Sequence, residues 1–340
     1  MIFVISTLLC PAPGPGKAGT ALAAPPLLAA TAEAPPPPAT VDILEPFFVG
    51  LSLGIPSSVF SLIPLTDGSS PSFGDRMDNR PASRFETTLQ ASWRFLGGSL
   101  SFTLPPLFDF QNREGQSSRQ DLRVSTDLGR FRIELGYQNY LGYLIENSSR
   151  LSAQTLGGAT YLLLPELRNA GGGITLYYVP NEDYSMAAGF DQTRRKLRSA
   201  GSLLLILSGR MQELRASSPV IPYEMQSFYG DEGTLRAASL RSVAAGAGYA
   251  HTVVIHEQVF VSGSLAADLG PQWVRATLAS GDREHLFVGL HNHAKVSLGL
   301  NQERLVAGAS VVIDGYSEGT QRMQIWNFSL SGRLFAGFRF

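Results

Sequence analysis

Residues 326–340, WNFSLSGRLFAGFRF, constrain the fold of this chain more than any other stretch. Every second position is apolar or small: Trp326, Phe328, Leu330, Gly332, Leu334, Ala336, Phe338 and Phe340. Between them stand Asn327, Ser329, Ser331, Arg333, Phe335, Gly337 and Arg339. Strand side chains alternate between faces, so this segment has one apolar face and one mostly polar face. At about 3.3 Å per residue and a tilt of about 40°, it lifts Trp326 about 35 Å above Phe340. That span matches a bilayer, with Phe338 and Phe340 at one aromatic girdle and Trp326 with Phe328 near the other.

The same period recurs along the chain. Phe47, Val49, Leu51, Leu53 and Ile55 alternate with Phe48, Gly50, Ser52 and Gly54, and Phe85 to Phe95 repeats the pattern with Glu86, Gln90 and Arg94 on the polar side. Further alternating runs cover 99–104, 121–128, 131–138, 174–179, 184–192, 202–212, 243–255, 259–269, 286–300 and 305–313. Hairpin turns are expected at Gly97-Gly98, at 129–130 and, between the sixth and seventh runs, at 180–183. Leu204 and Ile206 break the alternation of their run. These runs give thirteen strands; one more within 213–241 makes fourteen. Twelve result if the first run or a middle one is not part of the wall.

About a dozen strands closed into one barrel enclose a lumen too wide for a soluble core. The arrangement that suits the pattern turns the apolar face to lipid and the polar face inward. Closure leaves no unpaired backbone edge in hydrocarbon. The expected fold is therefore all-β, a single closed antiparallel transmembrane barrel of about 12–14 strands; two packed sheets are the alternative. Charged residues are only 16% of the chain against roughly 25% in soluble domains. Past the first ten residues no apolar run reaches the roughly 18–20 residues of a spanning helix. A net charge of -1 excludes nucleic acid as a partner recognised by bulk charge. The single cysteine, Cys10, lies in the apolar amino-terminal run, so residues 1–34 read as a secretory leader followed by a Pro-rich spacer at 35–44. The barrel then occupies 45–340.

Charges on the inward series are Arg94, Arg123, Arg132, Glu134, Arg210, Lys295 and Arg333, with Asp121, Asp127, Asp268 and Arg339. Buried charges need partners, so Arg123 and Asp127 are expected to meet Arg132 and Glu134 on the next strand. His291 and His293 share a face with His285 and Lys295. Two imidazoles could hold a metal, but no third ligand is indicated and Lys295 would repel a cation, so no metal or other cofactor is expected. His251, on an outward series near a rim, could serve as the base of a lipid-modifying enzyme with one of many nearby hydroxyls. That abundance argues coincidence, and no enzyme activity is expected. The basic run at 194–198 reads as a solvated connection or a contact to anionic lipid heads.

Several stretches resemble an uncharacterised bacterial outer-membrane barrel family, domain of unknown function 4421. They are Trp93-Arg94-Phe95-Leu96 with SFTLP at 101–105, FRIELGYQNYLGY at 131–143, RSAGSLL at 198–204, and GYAHTVVI at 248–255 with the VFVSGSL that follows. The resemblance covers about residues 45–340. It departs from the family at His251, where an aromatic is expected, and over 144–170. It implies location in the outer membrane of a Gram-negative bacterium and transfers no catalytic residue. The terminal aromatics Phe338 and Phe340 resemble the signal read by barrel-assembly machinery. Expected partners are that machinery, outer-membrane lipids and small solutes. A passive porin-like channel is the leading function, and a non-transporting surface barrel that binds a partner through its outer loops is the alternative.

Overall fold

The computed structural model describes residues 40–41, 47–66, 70–81, 85–93, 96–103, 117–192, 194–256 and 258–340. Strand β1 is Phe47–Thr66, β2 Glu86–Trp93, β3 Leu96–Thr103, β4 Ser118–Leu128, β5 Phe131–Ile145 and β6 Leu162–Tyr178. Then follow β7 Ala200–Arg215, β8 Ala237–Ile255, β9 Val259–Leu278, β10 Gly281–Asn301, β11 Leu305–Gly319 and β12 Met323–Arg339. Each pairs antiparallel with the next. The residues singled out at the carboxy-terminus close the ring: β12 pairs with β1 from Arg339 opposite Phe48 to Met323 opposite Pro64. The wall is thus a closed antiparallel ring of the twelve strands just named.

Two short segments bring the sheet to fourteen strands. Ser70–Pro71 pairs with β1 alone. Met77–Arg80 pairs on one side with β1, Asn79 opposite Phe60, and on the other with β5, Asn79 opposite Ile145. It therefore bridges β1 to β5 directly, beyond the ends of β2, β3 and β4. One strand replaces three there, and the ring narrows from twelve members to ten.

The two ends differ. At the turn end, where Phe340 N–H donates to Phe47 C=O at 2.9 Å, β4–β5, β8–β9 and β10–β11 join through short turns. At the loop end lie the connections 146–161 and 216–236. Transmembrane barrels commonly alternate short turns at one end with long loops at the other; here the β9–β10 and β11–β12 turns are tight although they lie at the loop end, and the β6–β7 connection is long although it lies at the turn end.

Three expectations change. Gly97 and Gly98 do not form a turn; they lie inside β3, opposite Ser92 and Ala91. Residues 184–192 are not a strand, because a single π-helical turn, Ala187–Asp191, occupies them. No strand is hidden in 213–241: β7 runs on to Arg215, β8 starts at Ala237, and between them are the short helices Tyr223–Gln226 and Ser227–Thr234. Removing the false middle strand restores an even number. The leader 1–34 and Arg94 lie outside the described residues.

The alternating pattern dictates the two faces. Outward side chains include Leu53, Leu203, Leu265, Val288 and Leu334, all more than half exposed. The largest apolar patch on a soluble monomer is about 300–600 Å². A belt of such residues around the whole ring suits hydrocarbon and not water. Aromatic side chains flank the belt: Phe47, Trp93, Phe131, Phe338 and Phe340 at the turn end, Trp273, Trp326 and Phe328 toward the loop end. Phe340 packs against Phe338 at 5.2 Å and Phe47 at 6.3 Å between ring centroids. Inside, the Phe48 ring lies against Gly50 and Gly337. A Cβ on Gly337 would come within 2.2 Å of that ring, so only glycine allows the seam to close around it.

Candidate functional site

The inward positions of β4, β5, β7, β10, β11 and β12 place charges at mid-height, where each must find a partner. The partners lie across the lumen as well as on the next strand. Lys295 on β10 reaches Glu134 on β5 at 3.3 Å. Arg210 on β7 lies 2.8 Å from His293 Nε2 on β10, and His293 Nδ1 lies 2.9 Å from Asp314 on β11. Tyr316 donates to Gln212 at 2.6 Å, and Gln212 donates on to Asn169 at 2.8 Å. Side chains that join strands on opposite walls fill the lumen they cross.

Arg132 is the hub of this layer. It is nearly fully buried and meets Asp127 at 3.1 Å, Glu134 at 2.8 Å and Asp191. Arg123 does not join this group as expected; it extends to Asp314, at 4.0 Å. A second cluster sits beside it. Arg119 holds Asp121 at 2.8 Å and Glu86 at 3.5 Å, and Tyr140 donates to Asp121 at 2.8 Å while its ring lies under the guanidinium.

The buried set Ser208, Asp268 and His291 resembles a hydrolytic triad in composition only. Ser208 Oγ donates directly to Asp268, and His291 Nδ1 lies 3.1 Å from the other carboxylate oxygen. A nucleophilic serine needs the imidazole between itself and the carboxylate. His251 projects outward beside Tyr249, whose hydroxyl is 3.3 Å from its Nδ1. Among the described residues no group of three His, Cys, Asp or Glu side chains could hold a metal ion.

Within the layer remains a cavity of about 310 Å³, lined by Arg123, Arg132, Glu134, Arg210, His293, Lys295, Asp314 and Arg333 among others. Two connections bracket it. At the turn end, the described residues of the 179–199 connection fold into the barrel. Tyr184 and Met186 pack on Tyr177, Leu204, Ile206, Ala250 and Ala266. That cluster explains why β7 is apolar on both faces near its start. The segment then crosses the lumen: Asp191 pairs with Arg132 on β5, and Ser125 on β4 donates to the same carboxylate at 3.3 Å. Gln192 turns the chain in a left-handed conformation, φ 59°. Its carbonyl accepts from Arg339 on β12 at 2.5 Å, and its side chain accepts from Asn301 on β10 at 2.9 Å. Arg195 and Lys196 pair with Thr40 and Val41, and Arg195 lies 3.6 Å from Glu303, so this part of the basic run is a structured connection.

At the loop end, residues 216–236 do the same. Val220, Ile221, Met225, Tyr229 and Leu235 are buried among Phe60, Leu62, Met77, Ile145, Leu278 and Met323. Tyr229 donates to the carbonyl of Leu62 on β1 at 2.8 Å, Asp231 meets Arg283 on β10 at 2.8 Å, and Glu232 accepts from Thr320 in the β11–β12 turn. Glu224 accepts from Ser152 Oγ and N–H at 2.5 and 3.0 Å and from Thr155, clasping the 146–161 connection. Ser152 and Thr155 hold the Glu224 carboxyl below its ordinary pKa, whereas burial raises that of Glu232.

Among the inward residues read from sequence, Arg123, Arg132, Glu134, Arg210, His293, Lys295 and Arg333 line the cavity, and His291 is buried beside Asp268. Phe338 and Phe340 stand on the outer face. Asp191, Gln192, Asp314, Tyr316 and Tyr229 were not anticipated. For the first two a signal existed: the apolar inward pair Leu204 and Ile206 requires something apolar inside the barrel.

The family described as Domain of unknown function (DUF4421) matches residues 66–340. No curated protein matches the sequence. Among solved structures, the outer membrane protease OmpT from Escherichia coli is 8% identical, covering 86% of this chain and 96% of that one, with a TM-score of 0.40. The P. putida toluene transporter TodX is 9% identical over 86% and 90%, with a TM-score of 0.28. The β-domain of the Bordetella autotransporter BrkA is 12% identical over 84% and 98%, with a TM-score of 0.35.

Proposed function

The chain belongs to the domain of unknown function 4421 family, and from that premise we propose an outer-membrane barrel closed at rest that holds a small polar solute in its central chamber. One observation carries this reading. Two connections, 179–199 and 216–236, contact strands around the ring at opposite ends and leave a charged chamber of about 310 Å³ between them. A porin-like passive channel would need an open path, and side chains meeting across the lumen at 2.6–3.3 Å oppose one. On this reading the protein catalyses nothing and takes no cofactor. Refolded protein in planar bilayers should show no steady conductance, and replacing 182–198 with a short turn should introduce one. A steady ohmic pore in the unaltered protein would overturn the closed-barrel reading.

A second reading, a surface barrel that binds a partner through its loops, is favoured by Tyr223 and Phe228. Both are exposed aromatics on the loop-end cap, Tyr223 at 87%. Substituting both should then abolish partner capture without changing the fold.

On this reading the last strand has a part in assembly. Because the Phe340 N–H completes the β12–β1 seam and its ring caps the aromatic group at the turn end, deletion of Phe340 should lower the inserted fraction in cells. Protein levels in the outer-membrane fraction test this, and normal insertion of the truncated chain would count against it.

A further inference from the structure

We propose that the chamber is a binding site for a small oxyanion, a carboxylate or a phosphate, held by Arg123 and Arg333; this rests on the reading of the lumen as a solute chamber. The starting point is how the inward cations are engaged. Arg119 has Asp121 and Glu86, Arg132 has three carboxylates, and Lys295 has Glu134. Arg210 meets His293 and lies 5.7 Å from the centre of the Tyr316 ring.

Arg333 differs from these. Among the described residues it makes no hydrogen bond or ion pair, and its Nε is buried without an acceptor. Arg123 is nearly as free. Its one ion pair is at 4.0 Å, to an Asp314 already engaged by His293 at 2.9 Å, and half of its side chain is open to the lumen. Both arginines line the chamber and the narrower recess beside it.

Hydroxyls complete the cradle. Ser310 lines the chamber with them, and Ser99 and Ser329 line both spaces. No hydrogen bond engages these three hydroxyls among the described residues. A guanidinium offers its N–H groups in a planar fork that matches two oxygens of a carboxylate or phosphate. Leaving such a group buried and unpaired is costly, and an oxyanion removes that cost.

The acids of the recess do not occupy the same donors. Glu86 accepts from Ser331 at 3.2 Å and lies against Arg119, Asp121 is held by Arg119 and Tyr140, and Asp314 by His293. These acids limit the ligand to a compact anion rather than a polyanion.

The test uses the full chain refolded in detergent. Acetate, succinate and inorganic phosphate are titrated calorimetrically, with sodium chloride and ethylammonium chloride as controls. Saturable binding of at least one oxyanion is expected, weakened at least tenfold in Arg333→Gln and in Arg123→Gln and partly retained in Arg333→Lys. Arg333→Gln loses no contact with the protein, so it should keep the heat-dependent gel shift of a folded barrel. A carboxylate preference and a phosphate preference each support the site and name its ligand. No saturable binding, or binding unchanged in both Gln variants, overturns it. Conductance is recorded separately: an open pore that still binds the anion removes the closed-barrel reading alone, and a closed barrel that binds none removes the anion site alone.

Discussion

Arg132→Leu is expected to lower barrel stability by about 3–5 kcal/mol, the range for breaking a buried ion pair from one side. Arg132 is 3% exposed and gathers Asp127, Glu134 and Asp191. Removing it leaves Glu134 with Lys295 at 3.3 Å, but takes from Asp127 and Asp191 the guanidinium that neutralises them. The loss is therefore the penalty of buried acids left short of counter-charge rather than the worth of one contact. Because Asp191 ties the 179–199 connection, which plugs the turn end, to β5, the same change should expose 184–198 to protease before the strands unfold. Urea titration in lipid vesicles measures the first effect and limited proteolysis the second. The exposed pair Arg130–Glu182 at 2.6 Å provides the contrast, since both side chains are wet and water screens their attraction. If Arg132→Leu costs no more than Arg130→Ala, the buried layer does not hold the plug.

Period-two patterning made the wall legible because lipid on one side and a polar lumen on the other impose opposite chemistry on successive residues. Trp326, Phe328, Leu334 and Phe338 could face only outward, and Arg333 and Arg339 only inward, so β12 was readable almost to the residue. The pattern carries no such information where a segment packs inside the barrel. Residues 184–192 contain enough apolar side chains to pass for a strand, yet they pack on the inner faces of the flanking strands β6 and β7 and of β8 and β9, which are distant in sequence. Nor does alternation say which charges meet: Arg123 and Asp127 sit on one face, but Arg132 takes Asp127 while Arg123 reaches across to Asp314. Direction along a strand is a local property. Reach across a lumen depends on the ring's width, its narrowing at Met77–Arg80 and the plugs that fill it.

Those distant contacts make Tyr229→Ala the second large expected effect. Tyr229 is fully buried at the centre of the loop-end cluster, and its hydroxyl donates to the carbonyls of Leu62 at 2.8 Å and Asp75 at 3.2 Å. Truncating a buried aromatic to alanine costs about 3–5 kcal/mol in transfer and cavity terms. Here the cost should fall on the cap, because strand hydrogen bonds around the ring do not depend on Tyr229. Hydrogen exchange should accelerate over 216–236 and over 73–79, whose Met77 packs in the same cluster, while amides of β8 to β12 stay protected. Tyr229→Phe keeps the packing and strands two acceptors, so it should produce the same pattern at a cost of about 1–3 kcal/mol. Uniform acceleration through the strands would mean that the cap and the wall unfold together, and unchanged exchange at 216–236 would mean that Tyr229 does not anchor the cap.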